Sequence, residues 1–122
     1  MAVKLKTATG EVYLNPQAIS RVHLSPDHSM VTVHFVNGTV FTSPASTQEE
    51  RSLVAAFLAE LSQEGSGFVS SGRELLNLRS ALWISIPQEG PVQVRWGDNR
   101  THSLVDADAD RVRRVIGGAL ET

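Results

Sequence analysis

The sequence predicts an α+β fold: two tandem repeats of antiparallel β-strands, each followed by one α-helix, packed together as an intramolecular pseudo-dimer. Three observations lead there. Period-2 alternation fills most of the chain, two stretches change to helical spacing, and the phrase GEVYLN at residues 10–15 returns as GRELLN at residues 72–77. Alternation marks half-buried strands, whereas recurrence at i, i+3 and i+4 marks one face of a helix. A frame of Gly, three variable residues and Leu-Asn is cheap by chance; agreement in element order, turn position and terminal helix is not.

In the first copy VKLKT alternates, ATG turns, and EVYLN stays extended until NPQA interrupts it, which makes a hairpin. ISRVHL and MVTVHFV follow as strands joined by SPDHS, whose Ser-Pro-Asp favours a turn. Asn37-Gly38 signals a two-residue hairpin, because both central positions must tolerate positive φ. The period then changes: TQEERSLVAAFLAELSQE sets Leu53, Val54, Phe57, Leu58 and Leu61 at helical spacing, with Thr47 and Glu50 in capping-box relation. The second copy runs FVSS, Gly72, RELLN, ALWISI, a PQEGP loop, VQVRW, Asp98-Asn99 and RTHSLV. Its helix is expected over about 109–120, with Val112, Val115, Ile116, Ala119 and Leu120 as the apolar stripe. The expected organisation is one domain, 1–122, made of repeats 1–64 and 65–122, with SQEGSG as the hinge. The alternative is one larger sheet capped by the last helix, as in pleckstrin-like barrels, with the first helix inserted.

Composition narrows the function. The chain has 122 residues, 41% hydrophobic and 20% charged, which suits one soluble domain. A net charge of −2 gives no global attraction to nucleic acid or anionic membrane, so such binding needs a local patch. The absence of Cys removes disulfides, thiolate catalysis and thiolate metal sites. No signal-like segment follows Lys4 and Lys6, and LVAAFLAEL is too short to span a bilayer, so the expected location is cytoplasmic.

A two-residue turn at 37 and 38 pairs Phe35 with Val40 and His34 with Phe41. Val31, Val33, Phe35 and Val40 then face the core, and the opposite face receives Lys4, Lys6, Arg21, His23, His34 and Phe41. A turn at 98 and 99 likewise pairs Trp96 with Thr101 and Arg95 with His102, so that Arg95, His102, Gln93 and Trp83 point outward. Strands 3–7, 18–24, 30–36, 39–43, 82–86, 92–96 and 100–104 carry Lys4, Lys6, Arg21, Arg95 and Arg100 with no Asp or Glu. The helical segments 47–64 and 106–121 carry eight acids against four bases. A basic, aromatic sheet face suits single-stranded nucleic acid, since bases stack on rings while cations track phosphates. It equally suits another protein or the sister repeat, and depletion of acids from strands is ordinary.

Other motifs fail on spacing. DADAD at 106–110 opens like a calcium loop, but Arg111 and Gly117 stand where Gly and Glu are required. Asp106 or Asp108 is expected instead to cap the last helix. His23, His28, His34 and His102 match no metal-ligand spacing, and no nucleotide loop or nucleophile elbow is present. The expectation is no catalytic residue, no cofactor and no metal.

Gly10, Leu14-Asn15-Pro16, Ile19, the alternating Val31, Val33 and Phe35, and Asn37-Gly38 make the first copy resemble the small FlbD-like flagellar proteins. The second copy departs, with Leu78 in place of Pro16 and Asp98-Asn99 in place of Asn-Gly. In architecture alone the tandem units resemble the whirly and PC4-like single-strand-binding folds, which implies a fold and a binding mode. The reading reached is a small non-enzymatic binding protein: first a protein-interaction or regulatory module that self-associates as a homodimer or meets a protein partner. The alternative is a single-stranded nucleic-acid binder, with Lys4, Lys6, Arg21 and Arg95 on phosphates and Phe41 and Trp83 as stacking residues. No membrane partner is expected.

Overall fold

The structure is a computed structural model and describes residues 3–7, 10–27, 29–63, 65–97 and 100–116. Strands β1 (Val3–Thr7), β2 (Gly10–Leu14), β3 (Ile19–Leu24), β4 (Met30–Phe35) and β5 (Val40–Pro44) precede helix α1 (Gln48–Leu61). They are followed by β6 (Phe68–Ser71), β7 (Glu74–Asn77), β8 (Trp83–Ser85), β9 (Val92–Arg95), β10 (Thr101–Leu104) and α2 (Asp106–Val115). A short 3₁₀ turn follows the second strand of each half, at Pro16–Ala18 and Leu78–Ser80. The α+β order of strands and closing helix therefore runs twice, as expected.

The strands form a two-stranded sheet, β1-β2, a five-stranded sheet in the order β5-β4-β3-β7-β6, and a three-stranded sheet in the order β10-β9-β8. Every pairing is antiparallel. The second half's opening hairpin thus leaves β8 to β10 and completes the sheet of the first half. Alternation along β7 then divides the interior. Leu75 joins Val22, Val31, Val33, Val54, Phe57 and Leu61, whereas Leu76 joins Val69, Val92, Val94, Trp96, Leu104 and Val112. Three layers result: α1 with the β1-β2 hairpin, the five-stranded sheet, and the three-stranded sheet with α2.

Local chemistry fixes these elements. Thr47 Oγ1 accepts from Glu50 N at 3.1 Å while Thr47 N donates to Glu50 Oε1 at 3.1 Å, the capping box read from the sequence. The two Leu-Asn phrases open the two 3₁₀ turns, Asn15 accepting from Gln17 N and Asn77 from Arg79 N. Their glycines differ: Gly10 lies in β2, while Gly72, at φ 61°, forms the β6-β7 turn. Asn77 does more than cap. Its buried amide donates to Pro16 O at 2.9 Å and Ile19 O at 2.8 Å, Ser80 Oγ adds a bond to Ile19 O at 2.8 Å, and Trp96 Nε1 donates to Asn77 O at 2.9 Å.

The last helix differs from expectation. It begins at Asp106, three residues early, and Val105 stands at the cap without a side-chain bond. Neither expected aspartate caps it. Asp108 instead accepts from Ser71 Oγ at 3.0 Å and pairs with Arg111, which also donates to Ser70 O at 3.1 Å, so the first turn is tied sideways to β6. Acids in that turn still oppose the helix dipole favourably. Ala119, Leu120 and the Gly117-Gly118 pair lie outside the described residues, as does His28.

Asn77→Ala removes both buried amide bonds together with the cap bond from Arg79 N, so it is expected to lower stability by about 2–4 kcal/mol. Asn15→Ala, losing one exposed cap bond, is expected to cost under about 1 kcal/mol. Urea midpoints at constant slope compare the two; equal losses would mean that Asn77 acts only as a cap.

Candidate functional site

Two hairpins decide which side chains the sheets display, and both differ from the expected register by one residue. Phe35 N donates to Thr39 O at 2.9 Å and Gly38 N to Phe35 O at 3.0 Å, so three residues, 36–38, form the loop, with Gly38 at φ 91°. That loop places His34 opposite Val40 and Val33 opposite Phe41. A one-residue slip turns a strand over. Phe41, expected outside, packs against the first core, while Val40, expected inside, is exposed. The second hairpin slips alike: Trp96 N donates to Arg100 O at 3.1 Å, Arg95 stands opposite Thr101, and Val94 opposite His102. His102 therefore turns inward beside Trp96, their rings edge to face at 6.3 Å between centroids.

The expected outer face of the first copy is covered. Arg21 is 2% exposed, because β10 and its neighbours lie over β3 and β7. A β-bulge between Ile19 and Arg21 sends Ile19 to the first core and Arg21 to the other side, and Ser20 Oγ at the bulge donates to His34 O at 3.0 Å. The structure brings four predicted residues together there. Arg21 Nη2 lies 3.4 Å from His34 Nδ1, His23 Nδ1 lies 3.6 Å from Glu74 Oε1, and His102 Nε2 lies 2.8 Å from Glu74 Oε2. Contact with His102 holds the Glu74 carboxyl below the usual carboxylate range, against the opposing effect of burial and with help from the charges of His102, Arg21 and His23. This polar seam joins two sheets. Among the described residues no three His, Asp or Glu groups converge on a point that could hold a metal ion.

The remaining predicted residues are spread over two other surfaces. Lys4 and Lys6 lie on the β1-β2 hairpin, where Lys4 stands opposite Tyr13 and 3.8 Å from Glu11. Glu11 and Glu74 correct the count of acid-free strands: both sit on hairpin strands, β2 and β7, that the charge tally left out. Trp83 and Arg95 are where the sequence placed them, on the outer face of the three-stranded sheet. Trp83, Arg95 and Thr101 form one row across β8, β9 and β10, and Ser85, Gln93 and Ser103 the next. Arg95 Nη1 donates to Thr101 Oγ1 at 2.9 Å, and Trp83 is 46% exposed. Leu82 and Ile86, flanking β8, are also exposed. No carboxylate stands on either row. Arg100 is exposed at the end of the same hairpin. The surface offers an aromatic plane, a guanidinium and hydrogen-bonding groups, a combination suited to bases and phosphates.

No protein-family model matches the sequence, and no curated protein matches it. A solved structure does: a LytTr DNA-binding domain from Bacillus cereus superposes with a TM-score of 0.59 over 95% of this chain and 96% of that one. At 14% identity the two share a fold. The fold is β-rich α+β and LytTr-like. This corrects both resemblances drawn from the sequence, to FlbD-like proteins and to whirly and PC4-like folds. The first rested on turn residues of one half, and the second on counting strands and helices, whereas the LytTr-like likeness spans both halves. No helix among the described residues is long and apolar enough to cross a membrane.

Glu74 is more acidic folded than unfolded, so its contribution to stability is complete above the unfolded-state value and is lost as pH falls through the folded-state one. Glu74→Gln is therefore expected to be less stable than wild type near neutrality, with a gap that narrows below the usual value of 4.5. Urea unfolding at several pH values measures the gap; one independent of pH would mean that the ionised form contributes nothing.

Proposed function

We propose that this chain is a non-enzymatic, nucleic-acid-binding regulatory module whose contact surface is the outer face of the three-stranded sheet. The observation that carries the reading is the row Trp83, Arg95, Thr101, free of carboxylates and partly open to solvent. The shared fold supports it, since the Bacillus cereus domain is described as DNA-binding. Trp83 supplies a ring on which an unpaired base stacks, worth about 1–3 kcal/mol, while Arg95 and Arg100 meet the backbone. Gln93, Ser85 and Ser103 can donate to or accept from base edges. A net charge of −2 makes this a small local patch rather than a long electrostatic track, so modest affinity and a shallow salt slope are expected. A cytoplasmic setting belongs to the same reading, and self-association is not needed by it.

Arg21, His23, His34 and His102 are given a different role here. His102 reaches Glu74 across the two sheets, Arg21, His23 and His34 make their contacts within the five-stranded sheet beneath it, and Lys4 and Lys6 stand on a separate hairpin. In this reading neither group contacts the ligand directly.

Fluorescence anisotropy with labelled single-stranded and duplex oligonucleotides, at low and moderate salt, tests the proposal. Trp83→Ala is expected to weaken single-strand binding roughly tenfold, and Arg95→Glu to weaken it further and flatten its salt dependence. Duplex preference, insensitive to Trp83 but lost on Arg100→Glu, would move the contact from the sheet face to the hairpin end. Absence of binding to either form at low salt would overturn the nucleic-acid reading.

A further inference from the structure

Along one side of α1 the first core is left unsealed. Leu24 and Leu58 are only partly buried and stand between two adjoining open hollows of about 220 Å³ each, which together make a grooved surface along the helix. Beyond these leucines, Ala45 and Val54 wall one hollow and Val22 and Leu75 the other. The groove follows α1 from Arg51, in its first turns, to Ser62, just past its end, about 16 Å at 1.5 Å per residue. Its floor is aliphatic.

Each hollow carries a cation. Arg51 lines one hollow and Arg73, at the β6-β7 turn, lines the other. Both are exposed, and neither is in a salt bridge with a described residue. Arg51 uses Nε for Ala45 O at 3.3 Å and leaves its outer nitrogens to solvent, while no described residue accepts from the Arg73 guanidinium. Glu74 borders the groove, but its carboxylate is engaged by His102 and His23. A guanidinium fork matches a carboxylate in two parallel bonds, and an amphipathic helix lays apolar side chains at i, i+3, i+4 and i+7 into such a groove. The complementary shape is thus an apolar centre with a carboxylate for the arginine of each hollow.

We propose that this groove docks an acidic amphipathic helix of a protein partner, its apolar side chains against Leu24 and Leu58 and its carboxylates on Arg51 and Arg73. A nucleic acid is a poor occupant, because the floor offers no ring for a base. The groove lies on the α1 side of the five-stranded sheet and the Trp83 row on the side of the three-stranded sheet, so this site does not depend on the nucleic-acid reading.

The test uses the full chain and a fluorescein-labelled synthetic peptide of about twelve residues, three helical turns, with leucines at helical spacing and two glutamates at each end. Binding is expected to weaken roughly tenfold in the variant Arg51→Glu with Arg73→Glu, whose far-ultraviolet circular dichroism should match wild type because both positions are exposed. The same peptide with lysines at its ends is expected to show the reverse preference. No binding of the acidic peptide to wild type, or equal binding of both peptides, would overturn the proposal. So would dodecanoate bound with the same charge dependence where the peptide is not, which would make the groove a site for anionic amphiphiles. Concentration-dependent dimerisation abolished by the same variant, again without peptide binding, would assign the groove to a second copy of the chain and equally overturn it.

Discussion

The pairing of β3 with β7 is the contact on which the rest of the structure depends. Through it the second half's hairpin becomes the missing strands of the first half's sheet, with Arg21, Val22 and His23 opposite Leu76, Leu75 and Glu74. An exposed β3 edge would be a row of unsatisfied amides and carbonyls, open to pairing with other chains. β7 closes that edge, and Asn77 at its end fixes the register by reaching Pro16 and Ile19 across the seam. Because consecutive residues of β7 point to opposite faces, one strand supplies Leu75 to one core and Leu76 to the other. Neither core is complete without it.

The same pairing explains why a charged face legible in the sequence is not a free surface. Arg21, His23 and His34 alternate with apolar residues as an outward face should, and β3 and β4 do carry them on the side away from α1. That side is then roofed by β9, β10 and α2, which need it to bury Trp96 and Val94. A buried charge is costly unless partnered, and the Glu74 carboxylate, in contact with His102, lies within reach of the Arg21 charge. Alternation reports which residues share a face. Whether that face meets water or another layer depends on long-range topology, which no local spacing encodes.

Much of the fold was nonetheless readable. The capping box at Thr47 and Glu50, the succession of strands along the chain and the first helix depend on interactions within a few residues, and the structure has them where the sequence puts them. Both misplaced registers came from one assumption, that the turn residues at 37 and 38 and at 98 and 99 occupy two-residue loops. A three-residue loop with glycine at its last, left-handed position uses the same Asn-Gly letters and shifts the partner strand by one. Phe41 and His102 were lost from the surface by that single residue. Trp83 and Arg95 escaped, since β8 and β9 are joined by the PQEGP loop and their outward sides follow from alternation within each strand. The two arginines beside α1 carry no sequence signal, because Arg51 and Arg73 are far apart in the chain and come to adjoining hollows only when β6 and β7 add to β3.

The two candidate surfaces sit on opposite sides of a sheet and are connected by short steps. Leu75 lines the groove, Glu74 beside it contacts His102, and Thr101 next to His102 belongs to the Trp83 row. Adjacency of this kind is not coupling, which requires an element with two arrangements that both ligands bias. β7 is a poor candidate for such an element. It is hydrogen-bonded on both sides, by β3 and by β6, and a slip of one residue would move Leu75 and Leu76 into each other's cores. The seam that makes the two halves one molecule thus also holds its faces in fixed relation, so a ligand on one face is expected to leave affinity on the other unchanged.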